Sequence, residues 1–95
     1  MAMPETIDKV REALRIGHHE LDDEINDNIE ECIADLKRGG VIYVDETEPL
    51  ILNCIKEYTR SKQSADIATA EIYRTRYEQF KAGLSLSEGY GYNNE

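Results

Sequence analysis

Apolar positions recur every three or four residues along most of the chain, which is the spacing of one face of an α-helix. The first such stripe is short and comprises Ile7, Val10, Ala13 and Leu14. Pro4 suits the first turn of a helix, and Arg15 and Gly17 follow the last apolar position. The pattern therefore predicts a first helix that begins near Pro4 and ends before Gly17.

The second stripe is the longest regular pattern before residue 40. It comprises Leu21, Ile25, Ile29, Cys32, Ile33 and Leu36. Lys37 and Arg38 fall where the carbonyl end of a helix favours cations, and Gly39 supplies a residue that tolerates positive φ. A second helix is predicted from about residue 20 to residue 38.

Two further stripes follow. The third comprises Leu50, Ile51, Cys54, Ile55 and Tyr58, and the fourth comprises Ile67, Ala70, Tyr73, Tyr77, Phe80 and Leu84. Thr47 is the predicted N-cap of helix three, with Pro49 just inside it. Ser64 is the predicted cap of helix four, and Gly83 indicates its end.

The segments between and after the stripes complete the predicted architecture. Val41 to Val44 is β-prone but too short to build a sheet, so it predicts an extended link between helices two and three. The last residues have no helical period and hold two Gly-Tyr pairs, which is typical of a flexible terminus. We expect an all-α bundle of about four helices in a single domain, residues 1–86, followed by a flexible tail, residues 87–95.

The net charge of the chain limits the classes of partner that we expect it to bind. The chain has a net charge of −9, and residues 1–40 hold eleven acids against five bases. Such a chain is repelled by phosphate backbones and anionic lipid, so we expect neither sequence-specific nucleic-acid binding nor membrane binding. Cys32 and Cys54 do not make a disulfide framework, and no leader or membrane-length apolar run is evident. A reducing cytosol is therefore the expected site of assembly.

One stretch, GHHELDDEIND at residues 17–27, resembles a candidate for metal or acid–base chemistry. His18 and His19 are neighbours, so their side chains diverge on any regular element, and a zinc site needs three or four converging ligands. The acids instead suit the positive end of helix two. The cysteines fall on apolar stripes, and no phosphate loop or catalytic motif is present. We therefore expect no metal, no cofactor and no enzymatic activity.

Some apolar and aromatic residues lie outside the predicted core stripes. The candidates for contact with a partner or a second copy are Ile42, Tyr43, Ile72, Tyr90 and Tyr92. Tyrosines in a tail offer large amphipathic contacts, which are common at interfaces. Local packing or plain disorder is the alternative for each of them.

Three stretches together carry a resemblance to a known family. They are VREALRIGHHELDDEINDNIEECIADLKRGGV, ETEPLILNCIKEYTRSK and YEQFKAGLSLS. This arrangement of helix ends and turns, over roughly residues 7–86, resembles the head–tail connector (adaptor) family of tailed bacteriophages, small all-α proteins also described as DNA-packaging connectors.

The resemblance implies a structural role in the virion. Adaptors of this kind form a ring of about a dozen copies under the portal protein, extend its DNA channel and dock the next stopper or tail-completion protein. DNA then passes through without sequence-specific binding, and the ring assembles in the host cytoplasm and resides at the head–tail interface. By the same resemblance, Tyr90 and Tyr92 would help to dock the ring to the portal.

A second interpretation comes from the charge alone. A small acidic protein can mimic DNA and inhibit a DNA-binding protein, provided that its carboxylates follow one face like phosphates. Basic residues interrupt the acids here, at Arg11, Arg15, Lys37 and Arg38. The DNA-mimic inhibitor therefore remains the alternative function.

Overall fold

A computed structural model describes residues 2–87 and Tyr90. It contains four α-helices, which are α1 (Pro4–Ala13), α2 (Asp22–Arg38), α3 (Pro49–Gln63) and α4 (Ile67–Ser85). No strand occurs among the described residues, and the link between α2 and α3, residues 39–48, is not helical. The all-α, four-helix prediction is confirmed. None of the helices described is long and apolar enough to cross a membrane.

The core is built around α3, which packs against each of the other three helices. Its buried side chains come from every helix and from the start of the link, and they include Val10, Ile25, Ile29, Cys32, Leu36, Val41, Ile51, Cys54, Ile55, Tyr58, Tyr77 and Leu84. The second stripe thus faces inward as its spacing predicts, and so does the third except at Leu50, which is 51% exposed. Burial of each large aliphatic side chain contributes roughly 1.5–3 kcal/mol.

The exit of α1 differs from the expected glycine turn. Ile16 N–H donates to Arg11 O and Arg15 N–H donates to Glu12 O, both over 3.0 Å, which is the hydrogen-bond pattern of a Schellman motif. Arg15 occupies the left-handed position of that motif, with φ of 59°. The turn therefore places a strained arginine two residues before the glycine that the sequence offers.

Helix α2 ends at Arg38 as predicted, but the left-handed residue that follows it lies one position later than expected. Gly39 has φ of −82°, whereas Gly40 has φ of 98°. Gly40 N–H donates to Lys37 O and Val41 N–H to Leu36 O, so the left-handed residue is Gly40. Gly39 meets a different need, because a Cβ there would lie 3.0 Å from Cδ of Lys81.

The predicted caps of α3 and α4 were wrong. Glu48, rather than Thr47, is the N-cap of α3, and its side chain accepts from Leu50 N–H. Asp66, rather than Ser64, caps α4 and accepts from Thr69 N–H over 2.9 Å. Ser64 instead ends α3, where its hydroxyl donates to the carbonyl of Arg60.

Helix α4 packs mainly along α3, and much of its surface is exposed. Tyr77 and Leu84 are buried, but Ile67 is 78% exposed and Phe80 is 43% exposed. The prediction that these two side chains face the core was wrong. The helix also continues two residues past Gly83, to Ser85.

A polar cluster fastens α4 to the end of α2. Asp35 accepts from the hydroxyl of Tyr77 over 2.6 Å, from Nζ of Lys81 over 2.9 Å and from Arg38 over 2.9 Å. Burial alone would raise the pKa of Asp35, but the three donors outweigh burial and hold that pKa well below its ordinary value. Lys81 also pairs with Glu78. The cluster holds the C-terminal half of α4 against the end of α2.

Candidate interaction surface

The histidine stretch forms the turn before α2. His18 and His19 are both exposed, and Nδ1 of His19 lies 3.0 Å from Asp22. Arg11 of α1 donates two hydrogen bonds to the carboxylate of Asp22, from Nε over 2.9 Å and from Nη2 over 3.0 Å. This bidentate pair lowers the pKa of Asp22. Across residues 2–87 and 90 there is no group of three or more His, Cys, Asp or Glu side chains that could hold a metal ion. The stretch joins α1 to α2.

Both cysteines lie in the core. Cys32 and Cys54 are free and buried, as their stripe positions predict. Burial raises the pKa of the Cys54 thiol to about 11 and raises that of Cys32 further. A thiol with so high a pKa is a poor nucleophile at neutral pH, so neither residue forms a reactive site in this conformation.

The link carries two of the partner candidates on the surface. Val41 is buried, but Ile42 is half-exposed and Tyr43 is 61% exposed. Asp45 follows them, and its Oδ1 accepts from both the backbone N–H and the hydroxyl of Thr47. These hydrogen bonds lower the pKa of Asp45, and its Oδ2 makes no hydrogen bond or ion pair within residues 2–87 and 90. The link thus presents an aromatic side chain beside a carboxylate.

Tyr90 lies against this link. Its carbonyl accepts from Ile42 N–H, its hydroxyl donates to Glu48, and its ring packs against the core. A role for Tyr90 in docking a partner stays a prediction. Tyr92 lies outside the described residues.

The remaining candidate, Ile72, lies on the uncovered side of α4 and is 54% exposed. It lines an open groove of about 490 Å³ with Ala68, Thr75, Glu71 and Arg76. The side of α4 opposite Tyr77 and Leu84 continues with further uncharged residues, so the stripe at intervals of three or four comprises Ala68, Ile72, Thr75, Gln79, Ala82 and Leu86. Such an uncharged seam is unusual on a helix face that meets only water.

One cavity of the structure was not predicted from the sequence. We call it the arginine pocket: it has a volume of about 580 Å³ and lies where the end of α1, the end of α3 and the start of α4 meet. Its lining comprises Ala13, Leu14, Arg15, Ile16, Leu21, Arg60, Gln63, Ser64, Thr69 and Tyr73. Four of these residues are aliphatic, and the two charged ones are both arginines.

The arginines of this region surround one aromatic ring. The guanidinium carbons of Arg60 and Arg76 lie 5.7 and 5.6 Å from the ring centre of Tyr73, within the range of cation–π attraction. Arg60 makes one long ion pair with Glu57, at 3.4 Å. Arg15 forms no ion pair within residues 2–87. The lining of the pocket therefore combines aliphatic side chains with two arginines, on a chain of net charge −9.

The opposite charge is concentrated on α2. Asp23, Asp27 and Glu30 are exposed on the side of α2 that faces away from Ile25, Ile29 and the core. In the described part of the chain, Asp23 and Asp27 form no ion pair. The acidic first half of the sequence is thus displayed as a surface.

Sequence reasoning missed the arginine pocket because its residues are distant in sequence. Arg15 lies in the exit of one helix, Arg60 in the last turn of another, and Tyr73 on a stripe that predicts burial. No spacing rule joins these three positions. The one local signal was a non-glycine residue at a helix exit where glycine is favoured.

Comparison with protein-family models, with curated proteins and with solved structures finds no match to this chain.

Proposed function

We propose that this chain is a structural adaptor of a tailed bacteriophage, which forms a ring beneath the portal protein, extends the DNA channel and receives the next stopper or tail-completion protein. The identity of the assembly rests on the resemblance of residues 7–86 to head–tail connectors. What the structure adds is a set of surfaces suited to assembly.

The observation that carries the proposal is the uncovered face of α4. A helix that packs mainly on one neighbour and has an uncharged outward seam, including Ile72 and Leu86, gains stability when a second protein covers it. The exposed Tyr43 adds a second apolar site on the link. Surfaces of this kind favour a subunit of an assembly over a solitary protein.

The acidic surface of α2 is compatible with a channel. Carboxylates at Asp23 and Asp27 repel a phosphate backbone, so a ring that turned α2 toward the lumen would let DNA pass without holding it. Sequence-specific readout would instead need donors placed against base edges.

Sedimentation velocity tests the proposal. The chain is run alone and with the portal protein encoded in the same phage genome. We expect the chain to co-sediment with portal, whether or not it is a monomer by itself. A chain that stays monomeric with portal and is absent from purified virions contradicts the proposal.

The second candidate function is a DNA-mimic inhibitor, which the exposed series Asp23, Asp27 and Glu30 favours. Residues at such spacings share one side of a helix, about 5–6 Å apart. The nearby pairs Arg11–Asp8 and Arg38–Asp35 neutralise part of this half of the chain. Competition with duplex DNA for nucleases or repressors of the host at low salt tests this candidate, and the absence of competition excludes it.

A further inference from the structure

We infer that the link of one copy, through Tyr43 and Asp45, docks into the arginine pocket of a second copy of this chain. This inference rests on the proposed function, because it names the contact by which neighbouring subunits of the ring would join. Its chemistry can nevertheless be tested without portal.

The pocket has the properties of a receptor for an aromatic side chain beside a carboxylate. Leu14 and Ile16 supply apolar walls, and Tyr73 supplies a ring against which a second aromatic can pack edge-to-face. Arg15 and Arg60 stand at the same cavity and have donors available for a carboxylate. A volume of about 580 Å³ lies in the range of ligand pockets.

Arg15 adds a separate indication. A non-glycine residue in the left-handed region costs roughly 1–2 kcal/mol, although Gly17 stands only two residues later. Strained backbone of this kind is concentrated at functional sites. Here the strained residue is an arginine that lines the pocket and forms no ion pair within residues 2–87.

The link matches the pocket in shape and charge. Tyr43 projects into solvent, and Asp45 lies two residues further on. Thr47 occupies only Oδ1 of Asp45, so Oδ2 can accept from a guanidinium of the second copy. The exposed acids of α2 have no aromatic residue beside them in that helix that could pack against Tyr73, which is why we assign the link, rather than α2, to the pocket.

The positions of the two surfaces require two copies. The link joins the beginning of α3 at Pro49, and the pocket includes Gln63 at its end. Fifteen helical residues separate these ends by roughly 22 Å, so the link cannot fold back into the pocket of its own chain. A contact between two different patches is head-to-tail, and such contacts close into rings when the rotation between subunits permits.

Disulfide trapping between two variants tests the inference. One variant carries Ile42→Cys, which leaves the docking residues Tyr43 and Asp45 in place, and the other carries Thr69→Cys, at an exposed position that lines the pocket. The native Cys32 and Cys54 are buried and form no background cross-link. Ala34→Cys, exposed on α2, is the matched control for Thr69→Cys. Circular dichroism first establishes that each variant is folded.

We expect the Ile42→Cys and Thr69→Cys pair to cross-link at least about tenfold faster than the pair with Ala34→Cys. Adding Arg60→Glu to the pocket variant should slow the reaction about tenfold, because it sets a carboxylate against Asp45. Adding Asp45→Arg to the link variant should restore it.

Three results would overturn the inference: equal rates with the control, a faster self-reaction of Ile42→Cys, or no mixed disulfide at the highest soluble concentration. Cross-linking without portal binding would leave this contact standing and reject the connector. Portal binding without the cross-link would support the connector function and reject this contact.

Discussion

Tyr77 on α4 donates its hydroxyl to Asp35 on α2 over 2.6 Å, although 42 positions separate the two residues in sequence. Lys81 reaches the same carboxylate oxygen from one turn further along α4. Since α4 packs mainly along α3, this cluster is its principal polar tie to α2. The tie holds the helix whose outer face we propose for assembly.

Removing the hydroxyl of Tyr77 should therefore destabilise the fold. We expect Tyr77→Phe to lower the free energy of unfolding by about 1–3 kcal/mol, because the charged Asp35 loses a buried donor. Urea unfolding followed by circular dichroism measures the change. Tyr43→Phe, whose hydroxyl is exposed, is the control, and equal midpoints for the two variants would refute this role of Tyr77.

The same cluster predicts an acid dependence. The pKa of Asp35 is lower in the folded chain than its ordinary value of 3.8, so its contribution is fully present above that pH and is lost as pH falls toward the folded pKa. We expect the stability of the wild type to decline below about pH 4, and that of Asp35→Asn to decline less steeply. Parallel curves of unfolding free energy against pH would show that Asp35 is not responsible.

The glycine after α2 gives a conformational prediction. Gly40→Ala should destabilise the chain by roughly 1–2 kcal/mol, because alanine must adopt φ near 98° there. Gly17→Ala serves as the control, since nothing lies within 4 Å of its Cβ position and its φ is not left-handed. Thermal unfolding of both variants decides the matter, and a loss at residue 17 but not at residue 40 would contradict the assignment.

The left-handed backbone at Arg15 predicts that two substitutions there change the stability of the fold in opposite directions. We expect Arg15→Gly to raise the free energy of unfolding by up to about 1 kcal/mol, and Arg15→Val to lower it by about 1–2 kcal/mol. Chemical denaturation measures both effects. If the valine variant were as stable as the glycine variant, the backbone at residue 15 would not be strained.

Much of the fold could be predicted from spacing, because burial repeats with the helical period. Ile25, Ile29, Cys32 and Leu36 lie in the core, where their stripe places them. The fourth stripe failed at Ile67 and Phe80, since the amount of surface that a helix buries depends on how many neighbours it has. The spacing of apolar residues along a helix does not show how many other helices will pack against it.

Local signals were less exact where neighbouring residues compete for one role. Thr47 and Glu48 can both cap a helix, and Gly39 and Gly40 can both adopt positive φ. The choice follows from tertiary contacts, such as the approach of Lys81 to Gly39. The arginine pocket lay beyond sequence reasoning altogether, because three separated segments form it.

The most direct test of the central claim is the mass of the portal complex, measured by native mass spectrometry with and without this chain. The connector account predicts that the portal ring gains a complete ring of chains, bound as one integral set. A portal whose mass does not change at saturating concentrations of the chain, in a phage whose purified virions lack it, would contradict that account.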